Sequence, residues 1–175
     1  MASHRRTPGG DPRRHAGRGQ CSGSHSPAAG GYSLVMAGAP PNCLAMILCD
    51  AVHQDPATGK SFILGTFSTI FATSFPALHP RLWIFIQLTN GHGEAPLEFK
   101  ISRVSPDDLD PPPVFRGPVP CAFTSRQDVV DLYIKIDHLV LPTDGEYRLI
   151  LEMQGTLIIE RRLRAAHTPV RGDPQ

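Results

Sequence analysis

The chain has 175 residues, of which 41% are apolar, with 18 prolines, 16 glycines and a formal charge of +1. Low apolar content with abundant Pro and Gly predicts an ordered domain carrying disordered appendages rather than one fully packed chain. The charge is uneven: residues 1–41 hold Arg5, Arg6, Arg13, Arg14 and Arg18 against Asp11, so the remaining body is mildly acidic. Such a body argues against nucleic acid as a partner, which needs a clustered basic face. No apolar run approaches the ~18–20 residues of a membrane span, and no membrane partner is expected.

Residues 1–41 are mostly Gly, Pro, Ser, Ala, Arg and His without periodicity. They are expected to form a flexible tail, or else translation starts at Met36. The paired arginines lack the apolar stretch of an export signal, and the default location is cytoplasmic. Cys21 falls in this tail and leaves Cys43, Cys49 and Cys121 in the body. Three cysteines without a CxxC spacing predict buried free thiols in a reducing compartment rather than a disulfide framework.

Three apolar runs follow, at 44–49, 61–67 and 82–88. The first is nearly unbroken, as in a strand covered on both faces. Asp55-Pro56-Ala57-Thr58-Gly59 then turns the chain, with Gly59 as the turn residue. A second run, 60–70, is interrupted by Gly65, which predicts a bulge or a close backbone approach. Phe75-Pro76 and His79-Pro80 predict an extended loop over 72–81, with Pro76 and Pro80 making a rigid crossing. In the third run Leu82, Ile84, Ile86 and Leu88 alternate with Trp83, Phe85 and Gln87, the pattern of a central strand.

After the turn signal Asn90-Gly91-His92-Gly93, Leu97, Phe99 and Ile101 are expected to face a core while Glu98, Lys100 and Ser102 face water. Residues 105–127 read as irregular, with Val114-Phe115 docking as a short edge segment among prolines. Alternation resumes at 129–136, and then in a hairpin with Tyr147, Leu149, Leu151 and Met153 on one face and a turn at Gln154-Gly155. Arg161, Arg162 and Arg164 are expected to guard an open edge by charge. Helical spacing is sustained nowhere. The sum is an all-β, antiparallel two-sheet β-sandwich of immunoglobulin-like, Greek-key type, with about seven or eight strands over 42–166 and a flexible tail over 167–175. Gly145-Glu146-Tyr147 has the placement of a tyrosine corner, in which the Tyr147 hydroxyl bonds back to nearby backbone.

Several short motifs occur in a distinctive order: Cys49-Asp50, Gly59-Lys60, Gly65-Thr66-Phe67, Phe75-Pro76, Pro80-Arg81-Leu82, and a closing Pro142-x-x-Gly145-x-Tyr147 with Gly155. In this the stretch 43–165 resembles a family of uncharacterised bacterial proteins, a domain of unknown function. The resemblance implies a small soluble β-sandwich and brings no activity, cofactor or catalytic residue.

For chemistry, Asp50, His53 and Asp55 form the densest polar cluster, and His79 and His92 would join it if their loops shared an end of the sandwich. Together they are the candidate metal or acid–base set, with turn capping as the competing explanation. Asp107, Asp108 and Asp110, with Asp128 and Asp131, have the look of a Ca²⁺-binding loop or a solvated acidic one. Arg171-Gly172-Asp173 spells an adhesion tripeptide in a tail. No nucleophile elbow, phosphate loop or cofactor motif is present, and no catalytic residue is assigned. The expected role is a non-catalytic module that binds an as yet unknown protein partner; the competing roles are a metal-dependent enzyme or sensor on Asp50 and His53, and a nucleic-acid accessory with a basic arm.

Overall fold

The computed structural model describes residues 39–106, 108 and 111–169, so the N-terminal 38 residues, Asp107, Asp110 and Arg171-Gly172-Asp173 lie outside the described residues. Among the described residues nine strands follow in order: β1 (Asn42–Gln54), β2 (Ser61–Thr66), β3 (Thr69–Ala72), β4 (Ala77–Thr89), β5 (Gly93–Arg103), β6 (Pro113–Phe123), β7 (Val129–Leu141), β8 (Gly145–Met153) and β9 (Thr156–His167). They form two sheets, β2-β1-β4-β7 (sheet I) and β3-β9-β8-β5-β6 (sheet II). With β1, β4 and β7 as strands A, B and E, and β9, β8, β5 and β6 as G, F, C and C′, this is the immunoglobulin-like order.

The core is the facing set of alternate side chains from both sheets. Leu82, Ile84, Ile86 and Leu88 of β4 are all fully buried, as are Phe99 and Ile101 of β5 and Tyr147, Leu149 and Leu151 of β8. β4 lies between β1 and β7, the central place its alternation predicts. Tyr147 sits at the E–F corner: its Oη donates to the carbonyl of Thr143 at 2.7 Å, tying down the link from sheet I to sheet II. Gly145, just before it, has φ +127, and Gln154 and Gly155, both at positive φ, close the two-residue β8–β9 turn as a type I′ hairpin demands.

The structure corrects the expectations in several places, each for a local reason. The run 60–70 belongs to two sheets: the chain crosses over at Phe67-Ser68, and β3 then pairs in parallel with β9 at 164–167, so the sandwich is not wholly antiparallel. β4 begins at Ala77, inside the expected loop. Pro80 is tolerated there because β1 pairs with β4 only as far as Trp83, which leaves one side of the strand open. His138 faces Pro80 across the ladder with φ +59, and the buried phase shifts there in both strands.

β1 is less uniformly covered than its composition suggests, because Leu44 is the extra residue of a bulge opposite Leu88 and Gln87 and is 54% exposed. β6 is a full edge strand of eleven residues. Pro118 and Pro120, two positions apart, turn their missing donors to the same outward side. A bulge at Val114 of β6 lies opposite Ile101 and Ser102, while β5 keeps its register with β8, and Ser102 is buried instead of wet. β3 covers β9 only from Arg164 to His167, so Arg161 and Arg162 stand on a stretch of β9 left open on that side, as expected, while Arg164 is paired. Arg161 also donates from Nη1 to the carbonyl of Met46 at 2.7 Å, bridging the sheets.

Candidate functional site

The two sheets differ in what they turn outward. Sheet II is covered by cross-strand ion pairs: Lys100–Glu152 at 2.9 Å, Arg162–Glu146 at 3.1 Å, Arg148–Glu160 at 3.9 Å, and Arg116 with Glu98. Pairs at a sheet surface add little stability but keep the face polar and self-compensated. Among the described residues sheet I carries two ion pairs, both on Asp137 (Lys135 at 2.7 Å and Arg81 at 3.8 Å). It turns out the aromatic residues Trp83, Phe85 and Tyr133, with Phe85 and Tyr133 ring centroids 5.9 Å apart and Phe85 only 6% exposed.

What covers Phe85 is the β1–β2 hairpin. Ser61 Oγ lies 2.7 Å from Tyr133 Oη on β7, although β1 and β4 separate β2 from β7 in the sheet order. At about 4.8 Å per strand a flat sheet would hold β2 and β7 roughly 14 Å apart, beyond the reach of a Ser–Tyr pair. The far half of the hairpin therefore curls back over the outer face of sheet I. Ser61 faces the sheet, while Phe62 and Leu64, on the other face, are 51% and 54% exposed.

A small polar network pins the arm. Besides the Ser61–Tyr133 contact, Gln87 Nε2 donates to Asp131 Oδ1 at 3.0 Å, and Ser61 Oγ and Tyr133 Oη approach Asp131 Oδ2 at 3.4 and 3.5 Å. Two hydroxyls and a carboxylate without a basic partner make a clamp, not a nucleophile and its base. Removing one side of the clamp, as in Tyr133→Phe, is expected to speed amide hydrogen exchange over the β1–β2 hairpin while leaving β4 and β8 protected, measured by exchange mass spectrometry.

At the root of the arm sit Asp50, Gly65, Phe67 and His79. The register of β1 and β2 keeps the same count on both sides of the Asp50/Gly65 pair, so Gly65 marks a close approach and not a bulge. Its φ is +65, and a Cβ there would stand 2.2 Å from Asp50 Oδ2. The His79 ring meets Phe67 edge-on at 5.8 Å, and its buried Nε2 has no hydrogen-bond partner among the described residues. Burial holds the imidazole below its ordinary pKa, opposed by a hydrogen bond to the Arg81 backbone and by the charge of Asp50. Because the unfolded chain takes up this proton more readily, stability is expected to fall as pH drops below about 6.5, the ordinary histidine value. Denaturation midpoints between pH 7.5 and 5.5 test this: the slope should flatten in His79→Gln.

The other predicted candidates are dispersed. Asp55 caps its own turn, accepting from Ala57 N at 2.9 Å and Thr58 Oγ1 at 2.6 Å, which lowers its pKa. His53 lies on the hairpin beside Phe62, ring centroids 6.3 Å apart. His92 follows β4 and His79 lies near its start, so the two sit at opposite ends of a long strand. Asp128 caps the β6–β7 loop through Thr124 N and Ser125 N, and Asp131 is spent in the clamp. Among the described residues no three His, Cys, Asp or Glu side chains come together in a group able to hold a metal ion.

Cys49 is no better placed for chemistry. Burial pushes its thiol up, with the Ala51 backbone opposing and the Asp50 charge reinforcing, so it stays protonated at neutral pH. Cys43, Cys49 and Cys121 are all free thiols. The clamp of Ser61, Tyr133, Asp131 and Gln87 was invisible to sequence reasoning, because only the folded-back hairpin brings those three strands together. The one available signal was an alternating Asp131/Tyr133 pair on a wet face.

Fold and site together define an immunoglobulin-like sandwich with a tyrosine corner, an ion-paired face and an aromatic face half-covered by a hairpin arm. Residues 44–166 match the model of the family of unknown function DUF6941, and the chain belongs to that family. No curated protein matches the chain. No helix among the described residues is long and apolar enough to cross a membrane.

Proposed function

We propose that this chain is a non-catalytic protein-interaction module, a single sandwich over 42–166 with flanking tails, which binds a protein partner through the side of sheet I. The observation that carries it is the asymmetry of the two sheets. Among the described residues, the exposed large apolar side chains Leu44, Phe62, Leu64, Leu78, Val129 and Val140 belong to sheet I, against Phe71 and Leu157 in sheet II and Val104 at its margin. Leu78 and Val140, directly opposite each other on β4 and β7, are 59% and 50% exposed. Exposed apolar side chains paired across neighbouring strands, as Leu78 and Val140 are, make a surface that a protein contact selects. The free thiols Cys43, Cys49 and Cys121 suit a reducing, cytoplasmic setting.

Affinity capture of the tagged chain from its native cells tests this, with partners quantified by mass spectrometry. Leu78→Glu with Val140→Glu is expected to lower retention of a specific partner by about tenfold or more. A change on the ion-paired face, Lys100→Gln, is expected to leave it intact. Equal retention by both variants rules out sheet I as the contact side.

A further inference from the structure

Four strands end the two sheets, and β9 and β4 are also open on one side where β3 and β1 stop short, over 156–163 and 77–82. All but one of these edges are guarded against pairing, the last two by Arg161 and Arg162 and by Pro80 and Arg81. β6 carries Pro113, Pro118 and Pro120, β7 carries Asp131, Lys135 and Asp137, and β3 has only four residues. Short length, proline and charge are the usual means of blunting a sheet edge. β2 has neither charge nor proline in Ser61–Thr66, and it exposes Phe62 and Leu64. Resting on the reading of sheet I as the contact side, we propose that β2 pairs with β2 of a second copy of this chain, antiparallel about a two-fold axis through Ile63.

The register follows from the residues. Antiparallel pairing centred on Ile63 sets Phe62 of each copy opposite Leu64 of the other, and Ser61 opposite Gly65. The two half-exposed apolar side chains thus cover each other, on the face turned away from the Tyr133 clamp. Aromatic–aliphatic cross-strand pairs are among the favourable ones. Charge favours a second copy over a foreign strand: the edge meets its own copy with no like charges opposed, and it presents no charge by which to select another sequence. The positive φ of Gly65, with the Asp50 carboxylate against it, ends the ladder there. A short pairing of this kind buries an area at the small end of specific interfaces, so a dissociation constant in the range of ~1–100 µM is expected.

Sedimentation equilibrium of the purified full chain over that concentration range is the test. The wild type should approach about 38 kDa, twice the 19.0 kDa chain. Phe62→Lys alone and Leu64→Glu alone should each shift it to the monomer. The double variant F62K/L64E should recover the dimer, because the introduced lysine of each copy then faces the introduced glutamate of the other. Unchanged thermal melts confirm that each variant is folded. A wild type that stays monomeric throughout, a dimer indifferent to the single changes, or a double variant that remains monomeric each overturns the proposal. All three outcomes leave the Leu78/Val140 capture result standing, since that readout uses a different surface and a different species.

Discussion

Replacing Tyr147 with Phe is expected to lower the unfolding free energy by about 1–3 kcal/mol, well beyond the loss of one average hydrogen bond. The ring is fully buried, and its hydroxyl donates to the Thr143 carbonyl at 2.7 Å. Deleting the oxygen leaves the core volume nearly intact but removes the partner of a backbone acceptor where the chain passes between sheets. Urea unfolding should show a lower midpoint with an unchanged slope, and each kcal/mol should appear as roughly 2–4 °C in melting temperature for a chain of this size. Tyr133→Phe is the control: its hydroxyl pins only the hairpin arm, and the global midpoint should move by less than half as much. Equal losses in the two variants would mean that the corner has no special hold on the fold.

Gly91→Ala is expected to cost about 1–3 kcal/mol by overpacking. A Cβ at Gly91 would stand 2.2 Å from Cδ2 and Cε2 of the Phe123 ring, which is itself only 4% exposed and part of the core. The ring has no solvent to swing into, so either it leaves its rotamer or the β4–β5 turn shifts. Gly93→Ala separates this from backbone strain: Gly93 has φ +62 but open space where the methyl would go, so its cost is that of the left-handed conformation alone, about 1–2 kcal/mol. Phe123→Leu in the Gly91→Ala background should recover part of the loss, giving a coupling free energy in a double-mutant cycle. Additive effects would place the cause of the Gly91 penalty elsewhere.

Much of the core was legible because period-2 alternation is a property of single strands. Leu82 to Leu88, Leu97 to Ile101 and Tyr147 to Met153 announce their buried faces from spacing alone, and Gly145-Glu146-Tyr147 announces the corner because its hydrogen bond spans four residues. What stayed hidden depends on partners far apart in the chain. Nothing local in Phe67-Ser68 says that the next strand joins the other sheet beside β9, since that pairing links residues 69–72 to 164–167. Pro80 looked like a loop residue because only the end of β1 opposite Trp83 makes a proline admissible in β4. The polar candidates were grouped by closeness in sequence. The fold leaves Asp50 beside Gly65, assigns Asp55 to its own turn, and separates His79 from His92 by the length of β4.

The parallel junction of β3 with β9 has a mechanical consequence. A pull applied between the start of β3 and the end of β9 draws these two aligned strands past each other lengthwise. Their bonds, and those from Arg164 N to Ser68 O and from Thr168 N to Ala72 O at either end, then carry the load together rather than opening one after another. An antiparallel hairpin at the same place would unzip bond by bond. The four-residue β3, the shortest of the described strands, is thus loaded along its length rather than peeled from one end.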